Sequence, residues 1–280
     1  MFRIGNFSFD HDRPLIMGIV NLTPDSFSGD GLMCSTARAV DHARRQIDEG
    51  ADILDIGAES SRPGAIPTSL EEELARLLPV LEALGDCGVP LSIDTYKPEV
   101  MRAALAVGAS MINDIYGLRM PGALEVLASS DCSVCLMHMQ GEPLTMQASP
   151  VYGDLVAEVR EFFMERVSTA EAAGIQPERI VLDPGFGFGK SVEHNVELLR
   201  RLPEVGVLEL PLLVGMSRKS MLGAITGRPV DQRLAASLGA ALLAAQNGAR
   251  IVRVHDVAAT RDVFEMWRTV ESLSGSSCAQ

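Results

Sequence analysis

The chain has 280 residues, 47% of them hydrophobic, with 24 basic and 37 acidic side chains and a formal net charge of −13. That balance excludes a general nucleic-acid or anionic-membrane binder, since both need a basic face, and it requires any anionic ligand to be met by a local cluster of Arg, Lys and His. The length suits one or two domains, and a single α/β barrel uses about 250 residues.

Residues 2–10 alternate around Gly5-Asn6 and predict a short β-hairpin. The apolar run Leu15 to Val20 predicts a strand buried on both faces, ending at Asn21. A Gly/Ser/Pro-rich loop over 23–31 follows. Ser35 is then placed to cap a helix over about 36–49, with Gly50 as its stop. Ile53-Leu54-Asp55-Ile56 predicts the next strand, and Glu59 to Gly64 its loop. Ser69-x-x-Glu72 reads as a capping box before a leucine-faced helix. A strand over 91–93 ends at Asp94, and a helix begins near Pro98. Further strands end at Asn113-Asp114 and at His138, and a long helix spans roughly 151–173. The last strands end at Asp183, before Ser217-Arg218-Lys219, and before Arg253-x-His255-Asp256. A helix through Met266 and Trp267 closes the pattern.

Five cysteines, odd in number and irregularly spaced, with no visible signal peptide or long apolar span, point to a reduced, cytoplasmic setting. Cys132-x-x-Cys135 falls on a predicted strand, where i and i+3 face opposite ways, so it reads as structural rather than as a metal half-site.

Polar residues mark the strand ends at 21, 55, 94, 113, 138, 183, 219 and 255. Eight strand–helix units predict a single (β/α)8 TIM barrel over about 14–274, preceded by the hairpin. A doubly wound open sheet is the alternative. Barrel closure would gather the eight marks on one rim.

The stretch Val181 to Lys190, with Asp183, three alternating glycines, Phe186 and Phe188, offers an acid, flat apolar faces and a pliable backbone. A planar polar heterocycle needs all three. Blander readings are a helix cap for Asp183 and core packing for the phenylalanines. The end Gly189-Lys190-Ser191 mimics a phosphate loop, but the required first glycine falls at Pro184. On the rim, Asp94, Asn113, Asp183 and Lys219 suit the edges of a nitrogen heterocycle. Arg62, Arg253 and His255 suit phosphate, and Asn21 offers an amide oxygen to a Mg2+ that keeps water and phosphate ligands. An ion pair with Asp256 is the competing reading of Arg253 and His255.

These motifs resemble, in order, those of the dihydropteroate synthase family. They are Met17 to Ser28, Asp55 to Gly64, Ser92-Ile93-Asp94-Thr95, Ile112-Asn113-Asp114, Leu182 to Lys190, Ser217 to Ser220, and Arg253 to Asp256. The resemblance spans roughly 12–270. It implies condensation of 7,8-dihydropterin-6-ylmethyl diphosphate with p-aminobenzoate in folate synthesis, by SN1-like loss of pyrophosphate and then amine attack. It implies that Asp94, Asn113, Met137, Asp183, Gly215 and Lys219 hold the pterin. Asn21 with Mg2+, Arg62, Arg253 and His255 would hold the diphosphate. Phe27, Ser61, Pro63, Phe188 and Ser220 would form the p-aminobenzoate pocket, which sulfonamide inhibitors share, and Asp25 would stabilise the developing cation. A homodimer through late helices is also implied. Two loops depart from the common pattern: Ser61 stands where Thr is usual, and Ser28-Gly29-Asp30 separates the acid from the serine. A pterin-dependent methyltransferase of the same barrel family and a non-catalytic pterin carrier are the alternative functions.

Overall fold

In the computed structural model, residues 2–10, 13–22, 36–60 and 64–275 are described, with side chains described through residue 272. The predicted hairpin is formed by β1 (Phe2–Ile4) and β2 (Phe7–Phe9), paired antiparallel. Eight parallel strands follow: β3 (Leu15–Asn21), β4 (Ile53–Gly57), β5 (Leu91–Asp94), β6 (Met111–Asp114), β7 (Ser133–Met137), β8 (Ile180–Asp183), β9 (Leu212–Val214) and β10 (Ala249–Val254). They pair in sequence order, and β10 returns to pair with β3, with Ile251 beside Leu15 and Arg253 beside Met17. The sheet is thus a closed barrel, and the open doubly wound alternative is excluded.

The helices form the outer layer: α1 (Thr36–Asp48), α2 (Leu70–Leu84), α3 (Pro98–Ala106), α4 (Ala123–Ala128), α5 (Leu155–Ala172), α6 (Val192–Arg200), α7 (Leu202–Val205), α8 (Ser220–Thr226), α9 (Leu234–Gln246) and α10 (Val257–Gly275). One helix start and one cap differ from the sequence pattern for local reasons. The long helix begins at Leu155 rather than near 151, because Asp154 Oδ1 accepts from the amides of Val156 and Ala157 and so fixes the cap there. At α2, Ser69 Oγ accepts from the Glu72 amide at 3.2 Å, as expected. The Glu72 carboxylate, however, pairs with Arg76 one turn on.

Strand periodicity of two sorts the core into two clusters. Outward residues such as Ile16, Leu54, Ile93, Val134 and Leu182 pack against the helices. Inward residues Leu15, Met17, Ile53, Met111, Cys135, Val181, Leu213 and Ile251 fill the lower lumen, and Ile4 of the hairpin plugs it from below. Each such side chain contributes roughly 1.5–3 kcal/mol by leaving water. Cys132 precedes β7 and joins the outer cluster, while Cys135 faces the lumen, so the pair points to opposite sides. Both are free thiols whose titration burial pushes up, and no group of metal-binding side chains occurs among the described residues. No helix among the described residues is long and apolar enough to cross a membrane.

Candidate active site

Above the apolar floor, the inward positions of the strands turn polar, because the same period-two alternation now carries Asp55, Ser92, Asn113 and Arg253. Higher still come Asn21, Asp94, Asp183 and His255. These walls enclose a cavity of about 640 Å3 at the C-terminal strand ends. Asp94, Asn113, Met137, Asp183, Gly215 and Lys219 line it. So do Asn21, Arg253 and His255, and so do Phe188 and Ser220. Asp25, Phe27, Ser61, Arg62 and Pro63 lie outside the described residues, as does the predicted cap Ser35.

The carboxylates on this rim are held away from their usual state. Burial pushes Asp94 up to about 7. The Arg253 guanidinium opposes this, and the neighbouring Asp55 adds to it. Burial also raises Asp183, against the pull of Lys219. Lys219 is lowered by burial to about 8, with Asp183 opposing. Strongly shifted acids and amines gathered in one cleft are characteristic of functional sites.

Arg253 crosses from β10 to the neighbouring walls: its Nε donates to Asp55 Oδ2 at 2.5 Å and its Nη2 to Asp94 Oδ2 at 2.9 Å. Burial opposes its charge, but the two carboxylates outweigh that and raise it above its ordinary value. The alternative pairing with Asp256 does not occur. Asp256 is taken by Arg218, at 2.5 Å to Nη2 and 3.1 Å to Nε. His255 instead contacts Ser217 Oγ, through its amide at 3.2 Å and its Nδ1 at 3.0 Å.

Asp183 does not cap a helix. Its Oδ1 accepts from the Gly185 amide at 2.7 Å, and α6 is capped by Ser191. The two phenylalanines divide: Phe186 is fully buried in the outer core, while Phe188 lines the cavity with Lys219 Nζ 4.8 Å above its ring. Lys219 also donates to the Phe186 carbonyl. The turn between them is sewn to the strand end before it. Gly185 and Gly189 have φ of +70° and +59°, and a Cβ on either would lie 1.9 Å from the His138 carbonyl oxygen or 2.4 Å from that of Gln140. Only glycine permits that approach. Lys190, which ends the near-match to a phosphate loop, is buried. Its Nζ donates to the carbonyls of Gly185 and Phe188 at 3.1 Å each and lies 2.9 Å from His138 Nδ1. It laces the turn and offers nothing to a phosphate.

Two strand-end marks need correction. His138 faces outward, edge-on to Phe162, because alternation gives the inward position to Met137. Asp55 is no rim residue: it sits mid-strand in β4, fully buried beneath the cavity. Its signal in the sequence is an acid inside an otherwise apolar strand.

Comparison with known proteins agrees with this geometry. A family model described as pterin binding enzyme matches residues 17–255. The dihydropteroate synthase of Escherichia coli (strain K12) is 52% identical over 266 residues, covering 95% of this chain and 93% of that protein. The crystal structure of the Yersinia pestis dihydropteroate synthase with a sulfonamide drug complex gives a TM-score of 0.93 at 47% identity, covering 96% of this chain and 98% of that one. That of the Burkholderia cenocepacia dihydropteroate synthase complexed with 7,8-dihydropteroate gives 0.90 at 51% identity, covering 98% and 97%. The chain belongs to the dihydropteroate synthase family of pterin binding enzymes.

Proposed function

We infer that the chain joins 7,8-dihydropterin-6-ylmethyl diphosphate to p-aminobenzoate, releasing pyrophosphate, as a transferase of folate biosynthesis. One observation carries the reading: a single cavity holds a heterocycle-edge set, an anion set and an aromatic wall side by side. Asp94, Asn113 and Asp183 offer acceptors and an amide to the pterin edge, and Lys219 a donor. Met137 and Gly215 line the same slot. Arg253 and His255, on the same wall, would meet the diphosphate, and Phe188 and Ser220 form the described part of the aminobenzoate wall, where sulfonamide inhibitors would also sit. Arg62, Ser61, Pro63, Asp25 and Phe27 complete these sets by resemblance.

The chemistry asked of these residues is electrostatic and positional. Cationic donors hold the departing diphosphate while the pterin ring stabilises the methylene cation left behind. Asp94 and Asp183 fix the ring by charge-assisted hydrogen bonds. The neutral aromatic amine then attacks, needing no side-chain nucleophile. Asn21, half-buried at the cavity wall, supplies one amide oxygen, and no acidic or imidazole cluster stands near it among the described residues. That donor set fits Mg2+ bound mainly through water and phosphate oxygens, not a protein cage. When bound there, the ion would add positive charge beside the diphosphate. Exposed apolar side chains on α9 and α10, Leu243 and Met266 among them, support a homodimer through these late helices, and the free thiols support a reducing cytoplasm.

The test is incubation with the pterin diphosphate, Mg2+ and p-aminobenzoate, following pyrophosphate release. Release that requires the amine and yields dihydropteroate is expected. Methyl transfer from methyltetrahydrofolate with no pyrophosphate release would favour the related methyltransferase, and tight pterin binding without turnover would favour a carrier.

A further inference from the structure

Asp55 lies beneath the cavity and does not line it, yet it holds three side chains that shape the floor. Its Oδ1 accepts from Ser92 Oγ at 2.7 Å. Its Oδ2 accepts from Arg253 Nε at 2.5 Å and from Asn113 Nδ2 at 3.3 Å. The bond to Arg253 is short and charge-assisted; the one to Asn113 is long and neutral on the donor side, so the guanidinium is the main client. Arg253 reaches Asp55 from two strands away, across β3, and its Nη2 is spread onto Asp94 of the next strand. Two carboxylates therefore set the plane of the fork, and Nη1 has no acceptor among the described residues.

The two holds are not equivalent. Asp94 lines the cavity and is one of the acceptors offered to the pterin edge, so a bound ring would compete with Arg253 for it. Asp55, out of reach of any ligand, would then be the one carboxylate still fixing Nε. The Nη donors released from Asp94 would turn about that fixed point toward the diphosphate. We propose that Asp55 is a positioning residue of this site, acting from below the floor to aim Arg253 at the diphosphate once the pterin has claimed Asp94. This rests on the function proposed above.

The experiment is a double-mutant cycle on the full chain, with Asp55→Asn, Arg253→Met and the combined variant. It reads kcat and KM for the pterin diphosphate, affinity for inorganic pyrophosphate by calorimetry, and thermal midpoints. The Asp55→Asn protein should lose about 10²-fold in kcat/KM, the scale on which a misplaced catalytic contact acts. Adding Asp55→Asn to Arg253→Met should cost nothing further in turnover or in pyrophosphate affinity, because the group it aims is gone. Additive losses would overturn the proposal, as would wild-type kcat/KM in Asp55→Asn. Should Asp55→Asn fail to fold with Arg253 left to Asp94 alone, the comparison of Arg253→Met with the combined variant still decides, since neither retains the guanidinium. A much lower thermal midpoint or weaker pyrophosphate binding in the combined variant would mark Asp55 as structural. If the wild-type chain forms no dihydropteroate, the functional reading fails, while pyrophosphate affinity across the cycle still reports whether Asp55 acts through Arg253.

Discussion

The two ends of the barrel treat their partly buried aspartates in opposite ways. At the N-terminal end, Asp52 accepts from Arg13 Nη1 at 2.7 Å and Nη2 at 2.6 Å, from the Ile16 amide at 2.8 Å, and from Arg261 at 3.4 Å. Burial pushes its carboxyl up, but these partners outweigh it and hold it below the usual range. At the C-terminal end, Asp94 and Asp183 have fewer partners, and burial prevails: both are raised. The lower acid is saturated and contributes to stability. The upper ones are left short of donors that a ligand can bring. This is the division of labour expected of the two faces of such a barrel.

The contrast breaks most visibly if Asp183 is changed. Asp183→Asn turns half of an acceptor into a donor, and a buried site built for specific hydrogen bonds then rejects its ligand by about 10⁴-fold. Calorimetry with the pterin should show that loss, while the melting temperature holds or rises because an uncomfortable charge has gone.

Asp52→Ala should do the reverse. Losing charged hydrogen bonds at the barrel base costs about 2–3 kcal/mol of stability, read by urea unfolding, with pterin affinity unchanged. The folded pKa of Asp52 lies below its unfolded value. Its contribution is therefore present above the unfolded value and fades as pH falls through the folded one, so the two proteins should converge in stability in acid.

A smaller effect sharpens the comparison on the pH axis. Asp94 titrates near 7 and loses its charge below that. Lys219 titrates near 8 and loses its charge above it. Since kcat/KM reports the free enzyme, it should peak between these values and fall about tenfold by pH 6 and by pH 9. A flat profile across that range would remove these two groups from pterin capture. Smallest of all, Phe188→Leu should raise the KM for p-aminobenzoate about threefold, through lost ring contact worth roughly 0.5–1 kcal/mol, and affect pterin binding less.

The barrel itself was legible because it is written in repetition: eight apolar runs, each ended by a polar residue and followed by a helical pattern. The residues on its rim were legible for a related reason, since alternation carries every second side chain of a strand to the same face. What alternation does not disclose is its own phase. Met137 and His138 are both plausible last residues of β7, and only packing against Phe162 decides that the histidine turns outward. Depth is equally hidden, so Asp55 reads like a strand end although Ile56 and Gly57 continue β4 past it. Pairing was the third blind spot. Arg253 is almost adjacent to Asp256 in the chain and Arg218 is 38 residues from it, yet Asp256 pairs with Arg218 while Arg253 goes to Asp55 and Asp94, a choice that follows from which strands adjoin. The sequence nevertheless placed Asn21, Asp94, Asn113, Asp183, Lys219, Arg253 and His255 around one cavity, where the structure has them.

The hairpin that plugs the lumen also sets an order in time. Ile4 is fully buried among side chains that run from Leu15 to Ile251, and the Gly5 amide donates to Ser133 Oγ, which in turn donates to the Arg3 carbonyl. During synthesis from the N-terminus, the hairpin leaves the ribosome long before its seat exists. Ser133 arrives about 130 residues later, and the seat is complete only when β10 has closed against β3. The hairpin, made before the barrel it plugs, is therefore among the last elements to find its place. Pulse-labelled hydrogen exchange should show the Gly5 amide gaining protection together with those of β10, and not with β3, its neighbour in sequence.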